Sequence, residues 1–343
     1  MTAIAGAFAA QGRACAGLGS PFMGRLMALL AERLRPTSAV AQRVLDWPGD
    51  VTSNGQSVPL RLAGALHGLV IDGSDAALAA AYPPHAVDDD TLFAAVEAAM
   101  ARHEARLMVW LDQAPQTNEV RRAGALIPAI WQALAVFDLP VVLSELGASA
   151  GLNLSLDRFA LRIGDNLHGP ADSPVQLAPD WTGPVPRPRP IRVIDRAGVD
   201  LHPLDPHDPA AALRLMAYLW PDQPHRLALT RGAIALSDTR PEAGDAAPWL
   251  ARRLAAPRPG CLHVVYHTVA WQYFPPATRA AAGAALEAAG ARATADAPLA
   301  HIAMEADATP GSAALTLRLW PGAAGPAALA RVDFHGRHID WKL

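Results

Sequence analysis

The chain has 343 residues, 51% hydrophobic and 18% charged, a globular balance that excludes a disordered chain and leaves room for one large domain or two ordinary ones. Its 29 basic and 32 acidic residues nearly cancel, to −3, so the chain as a whole has no pull toward nucleic acid or anionic lipid. Lys342 is the sole lysine, which excludes a P-loop and a Schiff-base lysine, and Cys15 and Cys261 stand too far apart to pair as zinc ligands.

From the start, the alanine-rich stretch is interrupted by Gln11 and Arg13 and lacks a basic segment ahead of it, so no secretory signal is expected. No apolar run approaches the ~20 residues of a membrane span. The cytoplasm is the expected compartment. Ser20-Pro21 caps and opens a helix in which Phe22, Leu26, Leu29, Leu30 and Leu34 recur at helical spacing. Residues 60–70, 76–81 and 91–110 continue that pattern, the last behind three aspartates at 88–90. A polar interruption at 115–122 (PQTNEVRR) precedes another helix over 123–137.

At Leu139 the period changes. LPVVLSELG reads as a short buried strand ending in Gly147. Residues 157–190 read as an irregular insertion, because prolines at 179, 184, 186, 188 and 190 block any continuous helix. Further strands are expected at 191–200, 235–238, 261–267, 299–305, 314–320 and 329–334. Helices are expected from Asp208 to about Trp220 and at 223–235, 246–254 and 277–289. Strand–helix alternation closed by a final strand pair predicts an α/β fold, a Rossmann-like, mostly parallel sheet with an antiparallel edge. The expected division is a helical N-terminal domain or cap over 1–137 and a Rossmann-like domain over 138–343.

Residues 145–153 (ELGASAGLN) join a strand to an expected helix. Glycines there let backbone amides and a helix N-terminus approach a ligand. Glu145, Gly147 and Gly151 resemble the acidic residue and glycines of motif I in S-adenosylmethionine-dependent methyltransferases, with Ser149 where a middle glycine often stands. By that resemblance Glu145 faces the methionine ammonium, and Gly147, Ser149, Gly151 and Asn153 border the cofactor. The string GASAG also satisfies the G-x-S-x-G of a hydrolase nucleophile elbow, with Ser149 as nucleophile and His335 and Asp307 as partners in chain order. A helical upstream region, a charge at Glu145 and bulky Leu152 weigh against that alternative. An ordinary turn without a ligand is the third reading.

Ligands in open α/β sheets bind beyond the carboxyl ends of the strands. Asp200, closing a strand, suits a ribose diol, with Asp165 as the acid nearer the usual spacing. Asp238 is placed at another strand end, against an adenine amino group. His263 and His267 share a strand face, and His267, at the strand's end before Trp271, Tyr273 and Phe274, is the candidate base. Gln116, Asn118, Glu119 and Arg122 form the densest polar cluster of the helical part, expected to clamp a substrate. No metal ligand set is expected.

Several strings are familiar together: PQTNEVRR (115–122), SELGASAGLNL (144–154), DSPV (172–175), GVDLHPLD (198–205), WPDQPHR (220–226) and HG-x-x-x-x-W (335–341). Over nearly the whole chain they resemble a bacterial domain-of-unknown-function family, number 2332, which brings no established activity. The likeness to methyltransferases is confined to the turn and the strand order. The expected function is methyl transfer from S-adenosylmethionine to a small-molecule or protein acceptor. A serine hydrolase and a non-catalytic nucleoside-binding module are the alternatives.

Overall fold

The computed structural model describes residues 2–343. It forms two compact units, Met1–Thr117 with Asp208–Leu227, and Asn118–His207 with Ala228–Leu343.

The first unit is helical. Its helices include Ala3–Gly17, Pro21–Arg33, Val58–Ile71, Asp89–Arg102 and Pro209–Ala217. Ser20 caps the second as its sequence predicts: Met23 N–H donates to its Oγ at 3.2 Å, and Oγ donates onward to Asp222 at 2.5 Å. Asp88 caps the helix behind it in the same way, accepting from Thr91 N–H at 2.7 Å. Phe8, Leu26, Met27, Leu62, Leu66 and Val96 form part of one apolar core, each at most 1% exposed. The segment 208–227 joins this core although it lies between two strands in sequence: Trp220 belongs to the cluster, and His67 Nδ1 lies 3.1 Å from Ala217 O.

The second unit carries twelve strands: β1 (Val141–Leu146), β2 (Ala160–Ile163), β3 (Asn166–His168), β4 (Gln176–Leu177), β5 (Asp180–Thr182), β6 (Val193–Asp200), β7 (Glu242–Ala243), β8 (Leu262–Thr268), β9 (Leu299–Ala306), β10 (Ala313–Trp320), β11 (Ala327–Val332) and β12 (His338–Trp341). Nine make one sheet in the order β5-β12-β11-β10-β9-β8-β1-β6-β7, and β3-β2-β4 form a small second sheet. The run β7-β6-β1-β8-β9 is parallel throughout; β10, β11 and β12 follow as an antiparallel meander. Counted along the chain, the parallel strands take the order 3-2-1-4-5. This is the Rossmann-like α/β arrangement, with its reversal of strand order at β1. Helices Ala246–Arg253 and Pro276–Gly290 share a core with Val265, Val199 and Leu299.

The structure departs from the sequence reading in several places. The compact units divide after Thr117, not after residue 137: helix Ala123–Val136, buried along most of its length, packs on β9 and β10. An all-round apolar helix does not reveal from its own periodicity which core it serves. The helix expected after the glycine turn is a kinked 3-10 segment, Leu152–Arg158, cut short because Ala160–Ile163 pairs as a strand with β3 and β4. The strand expected at 235–238 is absent. Residues 235 and 236 end helix Pro224–Leu236, and β7 begins only at Glu242.

Candidate functional site

β1 occupies the centre of the parallel run, buried at all six positions. Past its carboxyl end the backbone turns through three left-handed residues, Gly147 (φ 69°), Ser149 (φ 53°) and Gly151 (φ 71°). Glycine holds this conformation without strain, whereas at Ser149 it costs roughly 1–2 kcal/mol. The chain holds the turn with its own hydrogen bonds. Gly147 and Ala148 N–H donate to Val199 O at 2.9 and 3.0 Å, and Ser149 N–H donates to Asp200 Oδ2 at 2.8 Å. Gly151 N–H donates to Ala148 O at 2.7 Å, and Leu152 N–H to Asn118 Oδ1 at 2.9 Å.

This corrects the expectation that the turn offers free amides to a ligand. Five of the six backbone donors from Gly147 to Leu152 are committed within the unit, so recognition here falls mainly to side chains. The glycines also serve close packing: a Cβ on Gly147 would stand 2.6 Å from Ala270 Cβ, and one on Gly151 3.0 Å from Pro241 Cγ.

The side chains at the turn include two buried polar atoms with no hydrogen-bond partner among the described residues, Ser149 Oγ and Asn153 Oδ1. Asn153 Nδ2 donates to Glu119 O at 3.3 Å, so its amide is fixed at one end and open at the other. Asp200 ends β6 as expected. Besides Ser149 N–H, its carboxylate accepts His202 N–H at 3.0 Å.

Glu145 is 2% exposed, and its Oε2 accepts a hydrogen bond from Tyr266 Oη at 3.2 Å. Burial raises its pKa to about 8, against the opposing influence of the Tyr266 hydrogen bond and the Arg122 charge, while Asp200 adds to the rise. The carboxyl is therefore mostly protonated at neutral pH. Arg122 donates through Nε to Phe334 O and through Nη1 to Thr268 O, both at 3.0 Å, tying the end of β8 to the turn before β12. Glu119, 3% exposed, accepts from Arg121 Nε at 3.0 Å. Asn118 and Glu119 thus meet the residues that close the glycine turn, Arg122 bridges Thr268 and Phe334 in the same unit, and Gln116 belongs to the helical unit.

Two expected site residues take other places. Asp238 lies in the exposed loop between helix Pro224–Leu236 and β7, paired with Arg158 at 2.5 Å, and that partner holds its pKa low. It ends no strand, so the adenine-facing role is not met. His267 is only 2% exposed and both its ring nitrogens are engaged. Nδ1 donates to Glu305 Oε1 at 2.7 Å, and Nε2 lies 3.0 Å from His301 Nε2, a nitrogen whose own ring is held neutral by burial, its pKa near 3. Trp271 stacks on the ring at 4.7 Å. Glu305 Oε1 also accepts Ala270 and Trp271 N–H, at 3.0 and 3.1 Å. His267 therefore braces the loop beside Gly147 and does not face an acceptor as a base. Asp165 lies in the turn between β2 and β3, outside the main sheet.

The hydrolase alternative lacks its relay. Ser149 Oγ has no hydrogen-bond partner among the described residues, and Asp307 is bound to Arg331 at 2.6 Å. Sequence reasoning missed Tyr266 and Glu305. Tyr266 was accessible in principle, since it pairs with Glu145 across parallel strands and so shares its face. No group of three or more metal-ligating side chains occurs among the described residues, and none of the described helices is long and apolar enough to cross a membrane.

Residues 5–341 match the model of a family described as an uncharacterised protein conserved in bacteria, DUF2332, and the chain belongs to that family. No curated protein and no solved structure matches it.

Proposed function

Starting from that membership and from the geometry of the turn, we propose that the chain is an S-adenosylmethionine-dependent methyltransferase acting on a small-molecule or protein acceptor. One observation carries the reading. At the strand-order reversal, a glycine turn and the acid ending the neighbouring strand, Asp200, stand beside two buried polar atoms without partners, Ser149 Oγ and Asn153 Oδ1. Such groups cost free energy unless a ligand satisfies them, roughly 1–3 kcal/mol each. They fit a ligand rich in hydroxyls and amino groups.

In this reading Asp200, at the end of β6, accepts from ribose hydroxyls. Asn153 Oδ1 accepts from an amino or hydroxyl group, and Ser149 Oγ donates or accepts. Glu145, kept protonated by burial, gives up its proton when an ammonium group arrives and then supplies the opposing charge. Tyr266 holds that carboxylate in place. When bound, S-adenosylmethionine supplies an electrophilic methyl group. The residues then need only to position and desolvate the reacting atoms, so no strong acid–base pair is required.

Thermal denaturation with and without millimolar S-adenosylhomocysteine tests this. The wild type is expected to melt higher with the ligand, and Asp200→Ala to lose that shift while still folding. No shift in the wild type would overturn the assignment.

A further inference from the structure

The sheet-bearing unit contains a second candidate site, independent of the turn. A cleft of about 440 Å³ lies between helix Ala123–Val136, the 3-10 segment, β2, β3 and the Pro188-Arg189-Pro190 strand of chain. That volume falls within the roughly 300–1,000 Å³ of small-molecule pockets. Its base is apolar and rigid: Trp131, Leu156, Phe159 and Leu161 are each at most 3% exposed. Prolines on either side of Arg189 restrict the backbone that carries it.

Polar groups are few in this cleft, and their pairing is unequal. Asp157 lines it, but its two carboxylate oxygens accept from Arg196 Nη1 and Nη2 at 2.9 and 3.1 Å, so its charge is answered. His168 and Arg189 are different. His168 Nε2 and Arg189 Nε are both withdrawn from solvent, and neither has a hydrogen-bond partner among the described residues. The His168 ring stands edge-on to Trp131 with centroids 5.1 Å apart, beside the aromatic part of the base. A guanidinium whose Nε has no partner among the described residues and an imidazole without a partner on Nε2, both lining a cleft with an aromatic base, make a combination that neither a purely apolar nor a purely anionic molecule satisfies.

We infer that this cleft binds a small aromatic carboxylate, its ring against Trp131 and Phe159 and its carboxylate on Arg189 and His168. Asp157 does not repel the anion because Arg196 holds it in a two-point pair.

The test is calorimetric titration of the full chain with 2-naphthoate, with 2-naphthamide and acetate as parallel probes. The inference requires 2-naphthoate to bind at least about tenfold tighter than the amide, and acetate not to bind, since charge and ring are both needed. Arg189→Gln, on the cleft's rim, should weaken 2-naphthoate about tenfold with an unchanged melting temperature. Leu161→Trp, which fills the base, should abolish binding; if it does not fold, Arg189→Gln and the amide comparison still decide. Equal affinity for acid and amide, an unchanged Kd in Arg189→Gln, or no binding at millimolar 2-naphthoate would overturn the inference. S-adenosylhomocysteine plays no part in this titration, so its result stands apart from the methyltransferase reading.

Discussion

The two ends of the central strands differ in how they treat buried polar groups. Near the start of β6 and β8 and the middle of β1, the polar side chains pair with one another. Arg253 Nε donates to Ser144 Oγ at 3.0 Å, that hydroxyl turns to His263 Nε2 at 2.8 Å, and Arg253 and Arg258 both reach Asp195 at 2.8 Å. Burial and the neighbouring arginines push the His263 pKa to about 3, so the ring stays neutral. At the carboxyl ends, Ser149 Oγ and Asn153 Oδ1 are buried without partners, a strained Ser149 is retained, and Glu145 is buried with a pKa near 8. A satisfied network stabilises; an unsatisfied one has to be explained by what else it contacts. The same strands thus carry a paired structural network along their length and the candidate site beyond their carboxyl ends.

Substitutions can break this contrast. The largest effect is expected from Gly147→Val, which places a β-branched side chain at φ 69° and a Cβ 2.6 Å from Ala270. Left-handed strain and overpacking together should cost about 2–5 kcal/mol, read as a lower urea midpoint. Next, Arg253→Ala should cost about 1–3 kcal/mol by leaving Ser144 with His263 alone and Asp195 with Arg258 alone, while leaving any S-adenosylhomocysteine shift in place. Loss of that shift would erase the distinction between the two ends.

Glu145→Gln sharpens the comparison through pH. Because the folded pKa is raised from 4.5 to about 8, the folded protein keeps a proton that the unfolded chain releases. The stability this group contributes is full below about pH 4.5 and is lost as pH rises through about 8. Wild-type stability should therefore fall between pH 5 and 8, roughly, and Glu145→Gln should flatten that fall, standing about 1–3 kcal/mol above the wild type at the alkaline end. Parallel pH profiles would contradict the assignment of the proton to Glu145. The smallest effect belongs to Ser149→Gly. Relief of the left-handed strain should stabilise by about 0.5–1 kcal/mol, while loss of the hydroxyl weakens nucleoside binding.

The fold was legible where local pattern and final partner agree. The apolar run at 139–147, the following glycines and the acid closing 191–200 needed only the chemistry of buried strands and tight turns, and β1, β6 and the turn stand where that pattern puts them. The site was less legible, because a polar residue at a strand end looks the same whether it is braced or exposed to a ligand. His267 acquires its partners from His301 and Glu305, 34 and 38 residues further on. Asp238 ends no strand because helix Pro224–Leu236 takes the first two residues of a segment that reads equally as a strand. Nor does the string at 145–153 disclose that Val199, Asp200 and Asn118 consume its amides. Those bonds belong to register and long-range packing.

The most direct measurement is calorimetric titration of S-adenosylhomocysteine at neutral pH in two buffers of different ionisation enthalpy. Binding of its ammonium against Glu145 should release close to one proton, and Glu145→Gln should bind without that release. Absence of binding at millimolar ligand, or binding with no buffer dependence, would contradict the account.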